Sequence, residues 1–394
     1  MPTTTEHHQK CTIKAKAWTP IHIGSGLEAG RWEYFFSKDD QLVYLDYDKL
    51  ATEAIHNEEL IEELTKAAAK DPSGSLHKFL RSVEASDPDI RDRIGSSTRQ
   101  RPLPIATRKI PADERSIRHI RLFNGSPRCY VPGGSIKGAL RTALLSSSIA
   151  NASVKEELLP RDPSADDYSN LRMLRERLAK TFRPQTEETR FFQGILVRDC
   201  APIDASNLGI ASVRIFGSPK KSKQKEQVSS DEYAEVLLAD SDFQIEMSLR
   251  FTRLQKSTLR DMREILSTAD KFFRRVWEEN RLIQNELAKL NKADTDILDF
   301  YESSAARVPE DFYLLRVGYG SGQVANSVLL EYKEHFSKTM PNWADAPLRH
   351  STLYMRKRTD LKKRKPYPFT SRSAWAGELD KGRPLGWLVL SKDF

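Results

Sequence analysis

The segment 131–145, which reads VPGGSIKGALRTALL, constrains the fold more than any other part of the chain. Pro132 ends a strand-like run, and Gly133 and Gly134 permit a tight turn with close backbone approach. Apolar residues at helical spacing then predict a helix with one buried face, and Ser135 is a residue type preferred at the N-cap. The segment therefore predicts a helix that begins directly at the end of a strand.

The same helix carries a phosphate-binding pattern. Lys137 and Arg141 lie four residues apart and so share one face. Free N–H groups at a helix N-terminus, preceded by glycines and flanked by two cations, suit phosphate. A nucleoside-triphosphate loop needs Ser or Thr after its lysine, whereas Lys137 is followed by Gly138. The pattern favours the phosphates of an RNA backbone, and a purely structural strand–turn–helix unit is the alternative.

Three glycine-rich segments occur at strand ends, at 22–26, 132–134 and 318–322. Glycine at such places lets another backbone approach closely, although tight turns alone would explain each segment taken singly. Together they predict one extended surface for a polyanion. The predicted RNA contacts in the first and third segments are His22, Gly24, Ser25, Gly26, Gly318, Gly320, Ser321 and Gly322.

Positive charge is concentrated in two regions of this basic chain, whose formal net charge is +8. Residues 90–128 contain ten Lys or Arg against three Asp or Glu, and residues 351–372 contain eight against one. Prolines within 95–116 predict an extended basic loop, in which Arg99, Arg101 and Arg108 are further candidate RNA contacts. A solvated basic surface is the alternative.

The length of 394 residues predicts two domains. Residues 48–94 have apolar positions at helical spacing among many Glu and Lys, which predicts a helical insertion in a β-containing domain. A second amphipathic pattern predicts a long helix at about 254–292. That helix either packs on its own domain or docks a neighbouring subunit.

Several classes of protein are disfavoured. Three distant cysteines, Cys11, Cys129 and Cys200, without a CxxC pair predict neither a zinc site nor a disulfide framework. No apolar run approaches the ~20 residues of a membrane helix. We therefore expect a cytoplasmic protein with no membrane partner, no metal and no cofactor.

His22 is the sharpest catalytic candidate, because a histidine can act as general acid or base on a 2′-hydroxyl. No partner residues for that chemistry are evident, so we expect His22 to pack or to contact RNA. Asp46, Asp48 and Asp199 could ligate a metal, but isolated carboxylates near strand ends are usually turn or cap residues. We predict that the protein is not an enzyme.

Three blocks resemble the RAMP (repeat-associated mysterious protein) superfamily of CRISPR proteins: residues 19–26 (TPIHIGSG), the PGGSIKGALRTALL block and residues 316–322 (RVGYGSG). Their order and spacing resemble the fifth Csm subunit of type III-A systems. Residues 194–199, 233–236 and 384–387 extend the similarity. One departure is that such motifs often have Gly-Ser-Ser where this chain has Gly133, Gly134 and Ser135.

The resemblance implies an α+β fold of two ferredoxin-like, RRM-related RAMP modules with helical insertions, which we assign to residues 1–216 and 217–394. It also implies a non-catalytic subunit that caps the 3′ end of the guide RNA (crRNA) and is needed for its 3′-end maturation in antiviral defence. The implied partners are crRNA, target RNA, the repeating backbone subunit, the small helical subunit and host ribonucleases. The alternatives are an endoribonuclease that processes precursor crRNA through His22, and a capping subunit of a type III-B (Cmr) complex.

Overall fold

The computed structural model describes residues 8–37, 41–52, 58–90, 94, 103–104, 116–123, 128–150, 192–216, 231–250, 261–289, 295–304, 310–326, 328, 330–331, 333–334, 371–375 and 382–394. Within them the chain is an α+β protein with mainly antiparallel sheets. The strands are β1 His8–Ala17, β2 Gly24–Ala29, β3 Tyr34–Phe36, β4 Gln41–Tyr44, β5 Leu103–Pro104, β6 Ile117–Ile120, β7 Ile195–Val197, β8 Leu208–Phe216, β9 Asp231–Leu237, β10 Asp242–Arg250, β11 Phe312–Arg316, β12 Ser371–Trp375, β13 Gly382–Pro384 and β14 Trp387–Ser391. The helices are α1 Tyr47–Thr52, α2 Glu58–Lys70, α3 Leu76–Val83, α4 Gly133–Ala150, α5 Met262–Lys289, α6 Thr295–Ser304 and α7 Gly322–Ala325.

The first sheet contains five strands in the order β11-β14-β1-β10-β7, and every pairing in it is antiparallel. Apolar and polar residues alternate along β10, so Phe243, Ile245, Met247 and Leu249 are buried on one face. An alternating strand of this kind has one face covered by other elements and one face toward solvent. The sheet therefore needs helices on a single side.

Helices α4 and α5 pack against each other, α4 contacts β7, and α5 contacts β11. Along the chain α4 lies between β1 and β7, and α5 lies between β10 and β11. The apolar stripe of α5 packs into the main core through buried residues that include Met262, Leu266, Phe273 and Val276. The described part of the long helix thus packs on its own chain, and it begins at Met262.

A second sheet has the order β13-β12-β8-β9-β6-β2, and its β6–β9 pairing is parallel. The third sheet, β3-β4-β5, lies beside α1, α2 and α3, which lie between Tyr47 and Val83, close to the predicted helical insertion at 48–94. These helices share a separate small core with β3 and β4, centred on Phe35, Val43, Leu64 and Leu80. Strands from both sides of residue 216 pair within each of the two larger sheets, and the division at that residue stays a prediction.

No helix in the described ranges is both long and apolar enough to cross a membrane.

Candidate nucleic-acid interface

The first and third glycine-rich segments touch through their main chains. The N–H of Tyr319 donates to the carbonyl of His22 at 2.8 Å. Gly318 has a φ of +78°, and a Cβ built there would lie only 2.4 Å from that same carbonyl oxygen. The C-terminal block joins them, since Gly386 donates to Pro20 and accepts from Val317. Sequence blocks that are hundreds of residues apart therefore meet in one place.

The second glycine-rich segment begins α4 and lies against the end of β7. A Cβ on Gly133 would lie 2.3 Å from the carbonyl oxygen of Val197, so this position excludes every side chain. The N–H of Gly133 donates to Asp199 Oδ1 at 2.7 Å. The helix begins at Gly133, two residues before Ser135, so the expectation that Ser135 is the N-cap was wrong. A carboxylate from a distant part of the chain binds this helix end instead.

A cleft of about 450 Å³ separates α4 from the loop that follows β11. Its lining comes from the predicted helix, from residues 316–318 at the start of the third glycine-rich segment and from Asn326. Of the described residues that form it, none is acidic. The lining residues are Gly134, Ser135, Gly138, Ala139, Arg141, Thr142, Leu145, Arg316, Val317, Gly318 and Asn326. The cleft therefore brings together predicted site residues from two of the three segments.

Arg141 and Lys137 differ in their surroundings although they are four residues apart. Arg141 is exposed, lines the cleft, and places its guanidinium 5.9 Å from the ring centre of Phe192. Lys137 is half-buried and does not line the cleft. Partial burial lowers the pKa of Lys137. Of the two predicted cations, only Arg141 is placed at this cleft.

Arg316 lies at the cleft and is almost fully buried, with 3% of its surface exposed. Its Nε donates to the carbonyl of Leu385 at 3.1 Å, and its Nη2 donates to the carbonyl of Gly320 at 3.0 Å. The guanidinium also lies 4.8 Å from the ring centre of Trp387. Burial lowers the pKa of Arg316. One sequence signal could have pointed to this residue, namely a cation at the end of the otherwise apolar strand β11.

The loop after β11 is closed by its own side chains. Ser321 Oγ donates to the carbonyl of Gly318 at 2.7 Å, so the predicted RNA contact of this hydroxyl competes with an internal bond. Asn326 Nδ2 donates to Ser321 Oγ at 2.7 Å and to the carbonyl of Gly322 at 2.8 Å. Asn326 was not predicted from the sequence, and it holds this loop in shape at the cleft.

His22 is buried, with 3% of its surface exposed. Its Nδ1 lies 2.7 Å from the main-chain carbonyl of Glu235 and must donate, because a carbonyl only accepts. Burial lowers the pKa of His22, so the ring is neutral near pH 7. A Cβ on Gly24 would lie 3.0 Å from Nε2 of this ring. The surroundings of His22 are those of a packed, hydrogen-bonded side chain.

The other residues of the first segment lie on the second sheet and not in the cleft. Gly24 pairs with Ile120 of β6, and Ser25 Oγ donates to the carbonyl of His119 at 3.3 Å. Gly26 has a φ of +89°. The segment thus reaches the third glycine-rich segment through His22 and Ile23.

A buried carboxylate organises this part of the second sheet. Glu235 is 1% exposed, accepts the N–H of Ile120 at 2.7 Å, and lies 2.9 Å from Nδ1 of His119. Its side chain supports β6, while its carbonyl holds His22. Sequence reasoning missed Glu235, because a single Glu within a strand usually faces solvent.

The remaining candidates from the sequence are the two basic regions and the carboxylate of Asp46. Arg99, Arg101 and Arg108, together with most of the basic region 351–372, lie outside the described residues. Asp46 accepts the N–H of Lys49 at 3.1 Å at the start of α1 and is thus a cap residue. No group of three or more metal-ligating side chains occurs among the residues that the structure describes.

Comparison with known proteins gives a family and a fold. The model of the RAMP superfamily matches residues 14–323. One similar solved chain comes from a Csm–crRNA–target RNA ternary complex of a type III-A CRISPR-Cas system, with 18% identity, a TM-score of 0.60, and coverage of 97% of this chain and 100% of that chain. Another is T. onnurineus Csm5, with 17% identity, a TM-score of 0.62, and coverage of 95% and 99%. No protein of curated function matches the sequence.

Proposed function

The chain belongs to the RAMP superfamily, and from that membership we propose that it is a non-catalytic RNA-binding subunit of a type III-A CRISPR effector complex. In this proposal it caps the 3′ end of the crRNA and is needed for maturation of that end in antiviral defence. The fold that it shares with T. onnurineus Csm5 and with a chain of a Csm–crRNA–target RNA complex supports this assignment over the type III-B alternative.

The observation that carries RNA binding is the cleft between α4 and the loop after β11. Two arginines, Arg141 and Arg316, lie at it without an acidic residue in its described lining. Arginine suits phosphate because its planar guanidinium presents several donors in a fixed geometry. Contacts of this kind position an RNA backbone without reading its bases. We therefore propose binding that is not selective for sequence.

The order of the strands supports at least one of the two proposed ferredoxin-like modules. Strands β14, β1, β10 and β7 are adjacent in that order, with α4 after β1 and α5 after β10 along the chain. A β-α-β-β-α-β unit has this connectivity. We propose that this module uses strands from both ends of the chain, and that the second sheet forms the other module.

The proposal includes the absence of intrinsic ribonuclease activity. General acid–base catalysis needs a side chain within hydrogen-bonding reach of the reacting hydroxyl. The burial of His22 and the bond from its Nδ1 to a main-chain carbonyl favour a packing role over that one. The alternative function, processing of precursor crRNA through His22, would require this ring to become accessible.

The proposed partners are crRNA, target RNA, the repeating backbone subunit, the small helical subunit and recruited host ribonucleases. We propose that the predicted basic loop with Arg99, Arg101 and Arg108, together with the segment from Ile117 to Val131, forms the contact with the backbone subunit. The similar type III-A complex contains crRNA and target RNA, which supports the first two partners.

The test of RNA binding replaces both predicted cations of α4, Lys137 and Arg141, with Ala. Each phosphate contact releases counterions, so the slope of log affinity against log salt concentration should fall by roughly one to two counterions, and binding should weaken. The matched control replaces Lys66 and Lys70, which are also four residues apart and exposed but lie on α2. An unchanged slope in the α4 variant, or an equal change in the α2 variant, would count against the proposal.

A further inference from the structure

Glu235 is a carboxylate that the fold buries next to one base. Its side chain is 1% exposed, and its Oε1 lies 2.9 Å from Nδ1 of His119. Within the part of the chain that the structure describes, His119 is the only base at ion-pair distance from this carboxylate. A buried carboxylate is costly unless it is protonated or paired with a positive charge. The folded pair therefore holds one proton more than a carboxylate beside a neutral imidazole would.

The pair lies where the main-chain ladder between β6 and β9 ends. The parallel register of these strands extends as far as Arg118 and Ala234. Beyond that register, the N–H of Ile120 donates to Glu235 Oε2 at 2.7 Å. The carboxylate thus takes the place of a main-chain acceptor and holds the end of β6 on β9.

Three other ionisable groups next to the pair do not titrate near neutral pH. Burial lowers the pKa of His22, whose ring is therefore neutral there. Burial, followed by the charge of Glu235, raises the pKa of Tyr44, whose ring centre lies 4.9 Å from that of His119. Burial also raises the pKa of the Cys129 thiol to about 12. The hydroxyl and the thiol therefore keep their protons at pH values where the pair can lose its own.

The remaining charges of this region are fixed. Arg118 Nη1 lies 3.5 Å from Glu28 Oε1, and the guanidinium lies 5.1 Å from the ring centre of Tyr319. Glu33 and Tyr34 interact with the buried hydroxyl of Tyr44. Solvated guanidinium and carboxylate groups stay charged near neutral pH. Among the described groups of this region, the pair is thus the one whose proton can respond to a change around neutral pH.

We infer that the Glu235–His119 pair is a proton-dependent clamp on the end of β6. While the pair holds its proton, the carboxylate keeps the N–H of Ile120 on β9. Once the proton is lost, a bare charge is buried, and the end of β6 separates from β9. The clamp lies at the base of the segment from Ile117 to Val131, so its opening loosens that segment. This property belongs to the chain's own fold and does not rest on the proposed function.

The direction of the pH effect follows from a count of protons. In the opened state both side chains are solvated, and a solvated histidine has a pKa of about 6.5 and a solvated glutamate one of about 4.3. Above about pH 7 the opened pair therefore holds almost no proton, whereas the closed pair holds one. Opening releases that proton, so it becomes easier as the pH rises, by about eightfold from about pH 7 to about pH 8.

Hydrogen exchange of the Ile120 amide in the full chain tests the clamp. The protection factor divides out the direct effect of pH on exchange and reports the opening of the hydrogen bond. We expect the protection factor of Ile120 to fall about eightfold from about pH 7 to about pH 8. The factor of Leu388 in β14, which belongs to the first sheet, should stay constant. A constant factor at Ile120 overturns the inference, and an equal fall at Leu388 overturns a clamp that acts locally.

A matched pair of variants tests whether the carboxylate is the cause. Glu235→Gln keeps an acceptor for the N–H of Ile120 and removes the charge, so the fall in protection should disappear. Glu28→Gln is the same substitution at an exposed carboxylate that pairs with Arg118, and it should retain the fall. An unaltered fall in Glu235→Gln, or its loss in Glu28→Gln, would overturn the inference. If Glu235→Gln does not fold, the pH series on the unmodified chain still decides it.

Discussion

Two glycines of α4 allow a matched test of how this helix is seated. Gly133 and Gly138 belong to the same helix, yet an added methyl group meets opposite surroundings at the two positions. At Gly133 it would lie 2.3 Å from the carbonyl oxygen of Val197, a distance that real Cβ contacts essentially never show. At Gly138 it would meet nothing within 4 Å. Replacement by Ala should therefore have effects of opposite sign.

The magnitudes follow from these contacts. To reach a contact of 3.0 Å, Gly133→Ala must move α4 from the end of β7 by about 0.7 Å, and overpacking of this kind costs about 1–3 kcal/mol. The movement also strains the bond from Gly133 to Asp199. Gly138→Ala should stabilise the helix by about 0.5–1 kcal/mol, because Ala loses less backbone entropy than Gly. The two variants should thus differ by about 1.5–4 kcal/mol.

Urea unfolding, followed by circular dichroism, gives the free energy of unfolding of each variant from the midpoint and the slope of its transition. We expect the midpoint to fall for Gly133→Ala and to rise for Gly138→Ala. A Gly133→Ala variant as stable as the unmodified protein would refute the seating of α4 against β7. A loss of stability in Gly138→Ala would contradict the open space that lies beside Gly138 in the cleft.

Two further predictions concern His22. Burial lowers its pKa, so between about pH 5 and 7 the unfolded chain binds more protons than the folded chain, and the free energy of unfolding should rise with pH. His22→Asn, which keeps a donor and cannot titrate, should reduce that slope, and an unaltered slope would contradict the assignment. Metal-free incubation with repeat RNA should leave the RNA intact, whereas cleavage that disappears in His22→Ala would favour the endoribonuclease alternative.

The local elements were well predicted from the sequence, because their signals are local. The helical spacing in α4 is visible in a few consecutive residues, and this helix lies where it was predicted. The pairing of β1 with β14 was not predictable, because their partners are more than 350 residues apart and share no local pattern.

At the candidate site, two features of the structure could not be predicted from residue types. Ser135 was assigned as a cap on local preference, whereas Asp199, which is 66 residues from Gly133 along the chain, binds the helix end at Gly133. Glycines were assigned collectively to RNA, whereas Gly133 and Gly318 lie against the chain's own carbonyl groups. A Cβ at Gly26, Gly134 or Gly322 would meet nothing within 4 Å. A glycine in the sequence indicates that another backbone approaches closely. It does not indicate whether that backbone belongs to the chain itself or to RNA.

The central claim is that this chain binds the 3′ end of the guide RNA, and cross-linking tests it most directly. A complex assembled with crRNA that carries 4-thiouridine near its 3′ end, or in a second preparation near its 5′ end, is irradiated and the cross-linked peptides are identified. We predict that the 3′ probe cross-links to this chain at residues 133–150 or 316–326 and that the 5′ probe does not. Cross-links from the 5′ probe, with none from the 3′ probe, would contradict the claim.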